Sequence, residues 1–225
     1  MQRIDILHPS IDDYLHEIIP ERDEVLTEME AHARENRFPI VGPLVGRVLH
    51  QLVLITNPAR IFEMGSGFGY SAYWMAKALQ NPNASIICTD GSQENADRAA
   101  DYLRRGGIAD RIDYRVGNAL EIIDETEGEF DIIYNDIDKD GYPEAFQKAL
   151  PRLRKGGLFI TDNMLWGGRV TQKTENRSND LNDRDQWINA TTEGVKEATR
   201  LQYSSPDVFT TIIPLRDGVS VAVKK

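Results

Sequence analysis

Residues 60–69 read Arg60-Ile61-Phe62-Glu63-Met64-Gly65-Ser66-Gly67-Phe68-Gly69, a short apolar run that gives way to glycine at every second position. An apolar run of strand length, then closely spaced glycines, then a helix-forming stretch is the pattern of a strand-to-helix turn in a parallel α/β sheet. Runs of similar length recur at Ser85-Ile86-Ile87-Cys88-Thr89, Arg111-Ile112-Asp113-Tyr114-Arg115, Phe130-Asp131-Ile132-Ile133-Tyr134 and Leu158-Phe159-Ile160-Thr161. Segments of helical length separate them, near 71–80, 93–105, 118–125 and 142–154. The alternation predicts a doubly wound, mostly parallel sheet. Arg104-Arg105-Gly106-Gly107 and Arg154-Lys155-Gly156-Gly157 are expected to place cations in a last helical turn with glycine after it. Strands around Val208–Leu215 and Val219–Val223, joined by Arg216-Asp217-Gly218, predict an antiparallel hairpin at a sheet edge.

Upstream of the sheet, Tyr14, Leu15, Ile18, Ile19, Val25, Leu26 and Met29 recur at roughly helical spacing, interrupted at Pro20, where a helix would lose a backbone hydrogen bond. Two helices are expected there, and a third from Pro43 to Ile55 that stops before Asn57-Pro58. The stretch from Gly167 to Asp185 is polar and aperiodic, which predicts a loop able to cover a site, followed by a helix around 186–200. Residues 1–225 thus form one domain, with helices up to 57 and the sheet and its helices from 58 onward.

Composition narrows the class. With 225 residues, 40% hydrophobic and 28% charged, the chain can bury one continuous core. A formal net charge of -10 gives no support to broad binding of a phosphate backbone, although a local basic patch is compatible with it. The single cysteine, Cys88, lies in an apolar run, so a buried thiol and a reducing cytoplasm are expected. The first residues lack the apolar core of a signal peptide, and no stretch approaches the ~20 apolar residues that span a bilayer. A soluble, unexported protein without a membrane partner is the expectation. His8, His16, His32 and His50 show no metal-like clustering and are read as surface or packing residues. Tyr70, Tyr73 and Trp74 are expected to pack the first helix against the sheet, and the charged helix at 93–105 to present a solvated face.

The glycines do not make a dinucleotide fingerprint, because Tyr70 stands where the third glycine of Gly-x-Gly-x-x-Gly would fall, and there is no Gly-Lys-Ser/Thr phosphate loop. Glu63, immediately upstream, would repel a phosphate but could meet, directly or through water, the ammonium group of a methionine moiety. That favours S-adenosylmethionine over a nucleotide phosphate. Asp90 ends the second run, where a carboxylate can accept hydrogen bonds from both ribose hydroxyls. A ligand-free tight turn for the glycines, and a cap or turn role for Asp90, are the structural alternatives.

Asp136, in Asn135-Asp136-Ile137-Asp138-Lys139-Asp140, follows the fourth run, and Asp162-Asn163 follows the fifth. Adjacent strand ends can bring Asp136, Asp162 and Asn163 together as an all-oxygen set suited to Mg²⁺, with no histidine or cysteine to favour zinc. A solvated acidic turn is the alternative. Lys139, three residues beyond Asp136, can reach the same pocket; a neighbouring metal would lower its pKa and make it a candidate base. Otherwise it is a surface lysine paired with Asp138 or Asp140. Trp166 can wall an acceptor pocket or pack in the core.

Together these pieces resemble the caffeoyl-CoA and catechol O-methyltransferase family: Glu63 to Ser71, Phe130 to Lys139, Asp162-Asn163-Met164-Leu165-Trp166-Gly167-Gly168, and Ile213-Pro214-Leu215-Arg216-Asp217-Gly218, in order from about residue 40 to the end. The resemblance implies a Rossmann-like, seven-stranded sheet with an antiparallel last strand, S-adenosylmethionine, Mg²⁺ or another divalent cation, and a homodimer. It implies Asp136, Asp162 and Asn163 as metal ligands and Lys139 as the base. Val41 through its backbone, and Glu63, Gly65, Ser66, Ser71, Asp90, Ala119 and Asp136, are the implied cofactor contacts. The implied acceptor is a phenolic, catechol-type small molecule. A hydroxylated wobble uridine in tRNA is the alternative acceptor, for which Arg169, Arg177 and Arg184 could form a basic patch. A cofactor-binding module without transfer activity is the alternative of another class, which an intact Lys139 and ligand set disfavour. The chain departs from the pattern at Ile137, where many relatives have alanine, in Asn189-Ala190-Thr191-Thr192-Glu193, which lacks the frequent Phe-Asn, and in the insertion-like stretch 171–185.

Overall fold

The computed structural model describes residues 2–173 and 182–225. Seven strands, β1 (Arg60–Met64), β2 (Ser85–Asp90), β3 (Ile112–Val116), β4 (Phe130–Asn135), β5 (Leu153–Thr161), β6 (Val208–Ile213) and β7 (Val219–Lys224), form one sheet in the order β3-β2-β1-β4-β5-β7-β6. Strands β1 to β5 pair in parallel, whereas β7 runs antiparallel to both β5 and β6. The chain enters at β1, winds outward to β3, then returns beside β1 as β4. That reversal opens a crevice at the carboxyl ends of β1 and β4.

Among the described residues there are eight α-helices: α1 (Pro9–Ile18), α2 (Glu24–Asn36), α3 (Gly42–Thr56), α4 (Tyr70–Lys77), α5 (Gln93–Arg105), α6 (Ala119–Glu125), α7 (Tyr142–Arg152) and α8 (Asp183–Ser204). Alternate strand residues face opposite ways, so the sheet carries two cores. Ile61, Ile86, Ile132 and Ile160 pack with Val45 and Leu49 of α3, Met75 of α4 and Leu103 of α5. Phe62, Ile133, Phe159 and Ala222 pack with Ile123 of α6 and Phe146 of α7. Cys88 is buried in the first core, as expected. No helix among the described residues is long and apolar enough to cross a membrane.

The elements follow their sequence signals closely, with two differences. Helix α7 stops at Arg152, so Arg154-Lys155-Gly156-Gly157 is not a helix ending but the bulged first half of β5. Leu153 pairs with Phe130, the register then slips, and pairing resumes at Ile132 with Leu158. Asp131 explains the capture: its carboxylate takes the Ala59 and Arg60 amides at 2.8 and 2.9 Å and ion-pairs with Arg154, drawing those residues to the sheet. The second difference concerns Tyr70 and Tyr73. Their rings are buried in the first core, but the hydroxyls turn to the N-terminal helices instead of the sheet. Tyr70 Oη donates to Glu30 at 2.8 Å and Tyr73 Oη to Asp23 at 2.8 Å. Arg22 closes the network with two bonds to Glu30, at 3.0 and 2.7 Å. A buried phenol needs a partner, and α2 supplies it.

Helix α1 begins after His8, whose ring accepts from the Ser10 amide, and buries no residue. The predicted loop after Gly167 starts as a kinked 3-10 segment, Trp166–Thr171. Residues 174–181, including Arg177, lie outside the described residues, and with them the middle of the stretch from Gly167 to Asp185 expected to cover the site.

Since a hydrogen bond to a buried carboxylate contributes about 1.5–3 kcal/mol, Tyr70→Phe is expected to lower stability by that amount and the melting temperature by several degrees. Thermal unfolding checks this; a variant that melts with the wild type would show that α2 is held without Tyr70.

Candidate functional site

The crevice at the β1/β4 reversal is a cavity of about 670 Å³. One side is built by the glycine turn. Gly65 has φ 81°, and a Cβ placed there would lie 2.6 Å from the Asp136 carbonyl oxygen, so the β1 and β4 ends touch backbone to backbone. Gly67 has φ 53°, and a Cβ placed there would lie 3.0 Å from the Phe38 ring. The glycines are therefore required by the protein's own neighbours before any ligand is considered. The amides of Gly65 and Ser66 both donate to Thr89 O, at 3.1 and 2.8 Å, tying the turn to β2.

Asp90 takes the Gly67 amide on one oxygen at 3.0 Å, and the Ser92 amide and Asn95 side chain on the other at 2.9 Å each. It orders both turns while lining the cavity. Val41 before α3, Ser66, Ser71 in α4 and Ala119 at the start of α6 line it as well. Glu63 does not. Its side chain is fully buried behind Ser66, whose hydroxyl donates to it at 2.5 Å. Burial pushes the Glu63 carboxyl up to about 7, against the opposing effect of the Ser66 and Ser71 hydroxyls and the Cys88 thiol.

The acidic side follows from strand register. Asn135 pairs with Thr161, so Asp136 and Asp162 leave adjacent parallel strands at matching positions. Lys139 Nζ donates to Asp136 Oδ1 at 3.1 Å and to Ile137 O at 3.3 Å, so its partner is Asp136 rather than Asp138 or Asp140. Asp162 is 1% exposed, and neither carboxylate oxygen accepts a hydrogen bond among the described residues. Its nearest cation is Arg216, with Nη1 3.6 Å from Oδ2. Burial raises the pKa of Asp162, the charge of Asp136 adds to the rise, and Arg216 opposes it. Burial likewise raises that of Asp136 against Lys139. Two carboxylates facing one crevice, one of them without a donor, make a poorly compensated arrangement that a cation would relieve. Asn163, which also lines the cavity, completes a hard oxygen set that fits a divalent cation. Among the described residues, no group of three or more His, Cys, Asp or Glu gathers as a metal site, so the set rests on two carboxylates and one amide.

Lys139 is walled by aromatic rings, its Nζ 5.5 Å from the centre of Tyr142 and 5.7 Å from that of Trp166. Trp166 thus faces the base candidate, and Trp187 packs edge-on against it with centroids 5.9 Å apart. Tyr142 Oη also donates to Asp162 O at 3.0 Å. The sequence reading missed Tyr142, whose signal was an aromatic three residues beyond Lys139 at a helix start. It missed Phe38, and it took Arg216 as a turn residue only, although Arg216 lines the cavity. None of the four histidines lines it; His50 bonds Trp74 O at 3.1 Å and His32 meets Phe68 edge-on. Arg169 lies over Trp166 and donates to its carbonyl at 3.2 Å, which ties it to the site wall rather than to a free basic surface.

A family model described as O-methyltransferase matches residues 13–225. The catechol O-methyltransferase of Niastella koreensis is 32% identical over 167 residues, covering 72% of this chain and 75% of that protein. The caffeoyl-CoA O-methyltransferase 1 of Eucalyptus globulus is 28% identical over 91% of this chain and 83% of its own length. Among solved structures, the O-methyltransferase TomG of Streptomyces achromogenes, in complex with SAM, superimposes with a TM-score of 0.81 at 29% identity, covering 96% of each chain.

Glu63 gives the site a pH signature. Its carboxyl has an ordinary value of 4.5 and a native value of about 7, so the native state carries no penalty at low pH and acquires one as pH climbs through that window. The full penalty is at most ~3 kcal/mol. Glu63→Gln is expected to gain stability relative to the wild type between about pH 5 and pH 8, by ~1–3 kcal/mol in denaturant unfolding. A difference that stays constant across that range would show that Glu63 does not ionise in place.

Proposed function

We propose that the chain, which belongs to the O-methyltransferase family, transfers a methyl group from S-adenosylmethionine to one hydroxyl of a metal-chelated, catechol-type small molecule. The observation that carries this is the Asp162 carboxylate, buried without a hydrogen bond beside Asp136 and Lys139, in the same cavity as the glycine turn. The glycine turn and the paired acids are then two halves of one reaction site.

On the donor side, Gly65, Ser66, Ser71 and Val41 would hold the methionine portion, with Glu63 acting through Ser66 on its ammonium group. Asp90 would accept the ribose hydroxyls and Ala119 would pack near the adenosine, with Asp136 reached from the Gly65 side. On the acceptor side, Asp136, Asp162 and Asn163 would hold a divalent cation, Mg²⁺ being suited to the oxygen set; when bound, it supplies Lewis acidity that favours the ionised form of a chelated hydroxyl. Lys139 would take the hydroxyl proton. The acceptor oxygen then bonds to the methyl carbon as the carbon–sulfur bond breaks, leaving S-adenosylhomocysteine. Tyr142 and Trp166 limit the space open to the Lys139 amine. Holding oxygen and methyl in line can supply up to ~7–11 kcal/mol of the acceleration.

The proposal includes a homodimer acting in the cytoplasm on a diffusible phenol. Support for the dimer is the apolar face of α1, where Ile11, Tyr14 and Ile18 stay half exposed; support for the compartment is the single buried thiol.

The test is methyl transfer to a catechol, with undermodified tRNA assayed beside it. Chelation of divalent cations is expected to abolish transfer to the catechol and re-addition of Mg²⁺ to restore it. Lys139→Ala is expected to lower kcat about 10²–10⁴-fold, the usual range for a removed general base. Turnover that ignores the chelator would contradict the metal assignment, and turnover of tRNA alone would contradict the acceptor.

A further inference from the structure

Among the described residues, five other than glycine have positive φ. Arg37 and Asn57 are left-handed C-caps of α2 and α3, an ordinary place for that conformation. The other three, Asn163 (φ 57°), Trp166 (φ 45°) and Arg216 (φ 52°), gather at the acidic side of the cavity, where Asn163 and Arg216 line it and the Trp166 ring lies 5.7 Å from Lys139 Nζ. Asn163 has its place in the proposed ligand set and Trp166 walls Lys139. Arg216 has no role yet, although a glycine or asparagine would occupy its turn position with less strain.

The turn that carries it is anchored on both sides. Leu165 N donates to Asp217 O at 2.8 Å and Met164 N to Gly218 O at 2.9 Å, and the Gly167 amide donates to the Asp217 carboxylate. Gly218 packs so tightly that a Cβ would lie 2.5 Å from the Leu165 side chain. The guanidinium is therefore presented from a rigid base. It is 41% exposed, and among the described residues it donates no hydrogen bond; its ion-pair contact is Asp162 at 3.6 Å. Arg216 lines the main cavity and also a second cleft of about 200 Å³, bordered by Arg3, Ile4, Ile6, Leu7 and Pro9. An arginine presents five donors in a plane matched to a carboxylate, and here they face the space beyond the two acids.

We propose that Arg216 selects the acceptor by binding a carboxylate carried on its ring or side chain, so that the preferred substrate is an acidic catechol, of the dihydroxybenzoate or dihydroxycinnamate kind, rather than an uncharged one. This rests on the chelated-catechol function proposed above. The charge count also sets an upper limit. Among the described residues the main cavity is lined by the cations Lys139 and Arg216 and the acids Asp90, Asp136, Asp138 and Asp162, and the second cleft adds Arg3 against Asp5, Asp12 and Asp217. Acids outnumber cations there and Lys139 is paired with Asp136, so Arg216 offers one anchor for a single carboxylate, whereas an acceptor bearing several phosphates, such as a coenzyme A thioester, would bring further negative charge into an acidic surround.

The experiment is steady-state transfer at saturating donor and Mg²⁺ to 3,4-dihydroxybenzoate and to catechol, for the wild type, Arg216→Lys and Arg216→Gln. Wild type is expected to favour the acid by about tenfold or more in kcat/KM, mostly through KM. Arg216→Gln should bring the ratio of the two acceptors near one, and Arg216→Lys should restore part of it. Circular dichroism and S-adenosylhomocysteine titration establish that each variant is folded and loaded. Equal loss on both acceptors would overturn the proposal and leave Arg216 a support for Asp162. A wild type that prefers catechol, or that methylates caffeoyl-CoA better than caffeate, would overturn it as well. In those cases catechol turnover leaves the broader function standing; transfer to neither catechol would defeat both.

Discussion

At the centre of the sheet the backbone of Gly65 passes so near the Asp136 carbonyl that no side chain fits between them. That contact is possible because β1 and β4 lie side by side and in parallel, with Glu63 opposite Tyr134 and Met64 opposite Asn135. It fixes the glycine turn against the acidic turn. Everything that positions donor and acceptor chemistry in one cavity depends on it: the Asp90 anchor on Gly67 holds the glycine turn from one side, and the Asn135–Thr161 pairing brings Asp162 to the other. The Arg22–Glu30–Tyr70 network then secures the N-terminal helices over the same region.

The electrostatics at this junction are asymmetric. Glu63 lies below the donor wall, compensated by a serine, with an ordinary carboxylate's charge discouraged by burial. Asp162 lines the opposite side with far less compensation, its nearest cation being Arg216 at 3.6 Å, and Asp136 shares Lys139 with a backbone carbonyl. A fold that keeps such groups out of water gives up stability there, and the recurring reason is a charge that arrives with a ligand. The left-handed conformations at Asn163, Trp166 and Arg216 gather at the same side, since Asn163 and Arg216 line the cavity and Trp166 stands beside Lys139.

Most of this was legible in the chain because it is local. Alternating apolar runs and helix-length segments give strand and helix order, and the Arg216-Asp217-Gly218 turn announces the final hairpin. Asp136, Asp162 and Asn163, the proposed oxygen ligands, stand directly after β4 and β5 and Lys139 four residues beyond β4, where the parallel topology gathers them. What escaped was the part decided by distant partners. Asp131 pulls Arg154 into β5, which periodicity cannot see. Tyr70 and Tyr73 turn toward Glu30 and Asp23, which stand 40 and 50 positions away in sequence. Glu63 was recognised by its place beside the glycines, but strand alternation puts it behind the cavity wall. Arg216 read as a turn because its side chain acquires a role only when the loop from Met164 to Gly167 closes against the hairpin.

The central claim is that Asp136, Asp162 and Asn163 together hold a divalent cation in the cavity that also binds the methyl donor. Anomalous diffraction from crystals grown with Mn²⁺ and S-adenosylhomocysteine tests it most directly. One anomalous peak contacting side-chain oxygens of all three residues, with the nucleoside product in the glycine turn, is the expected result. Clear density for the bound product with no peak among those three residues would contradict it.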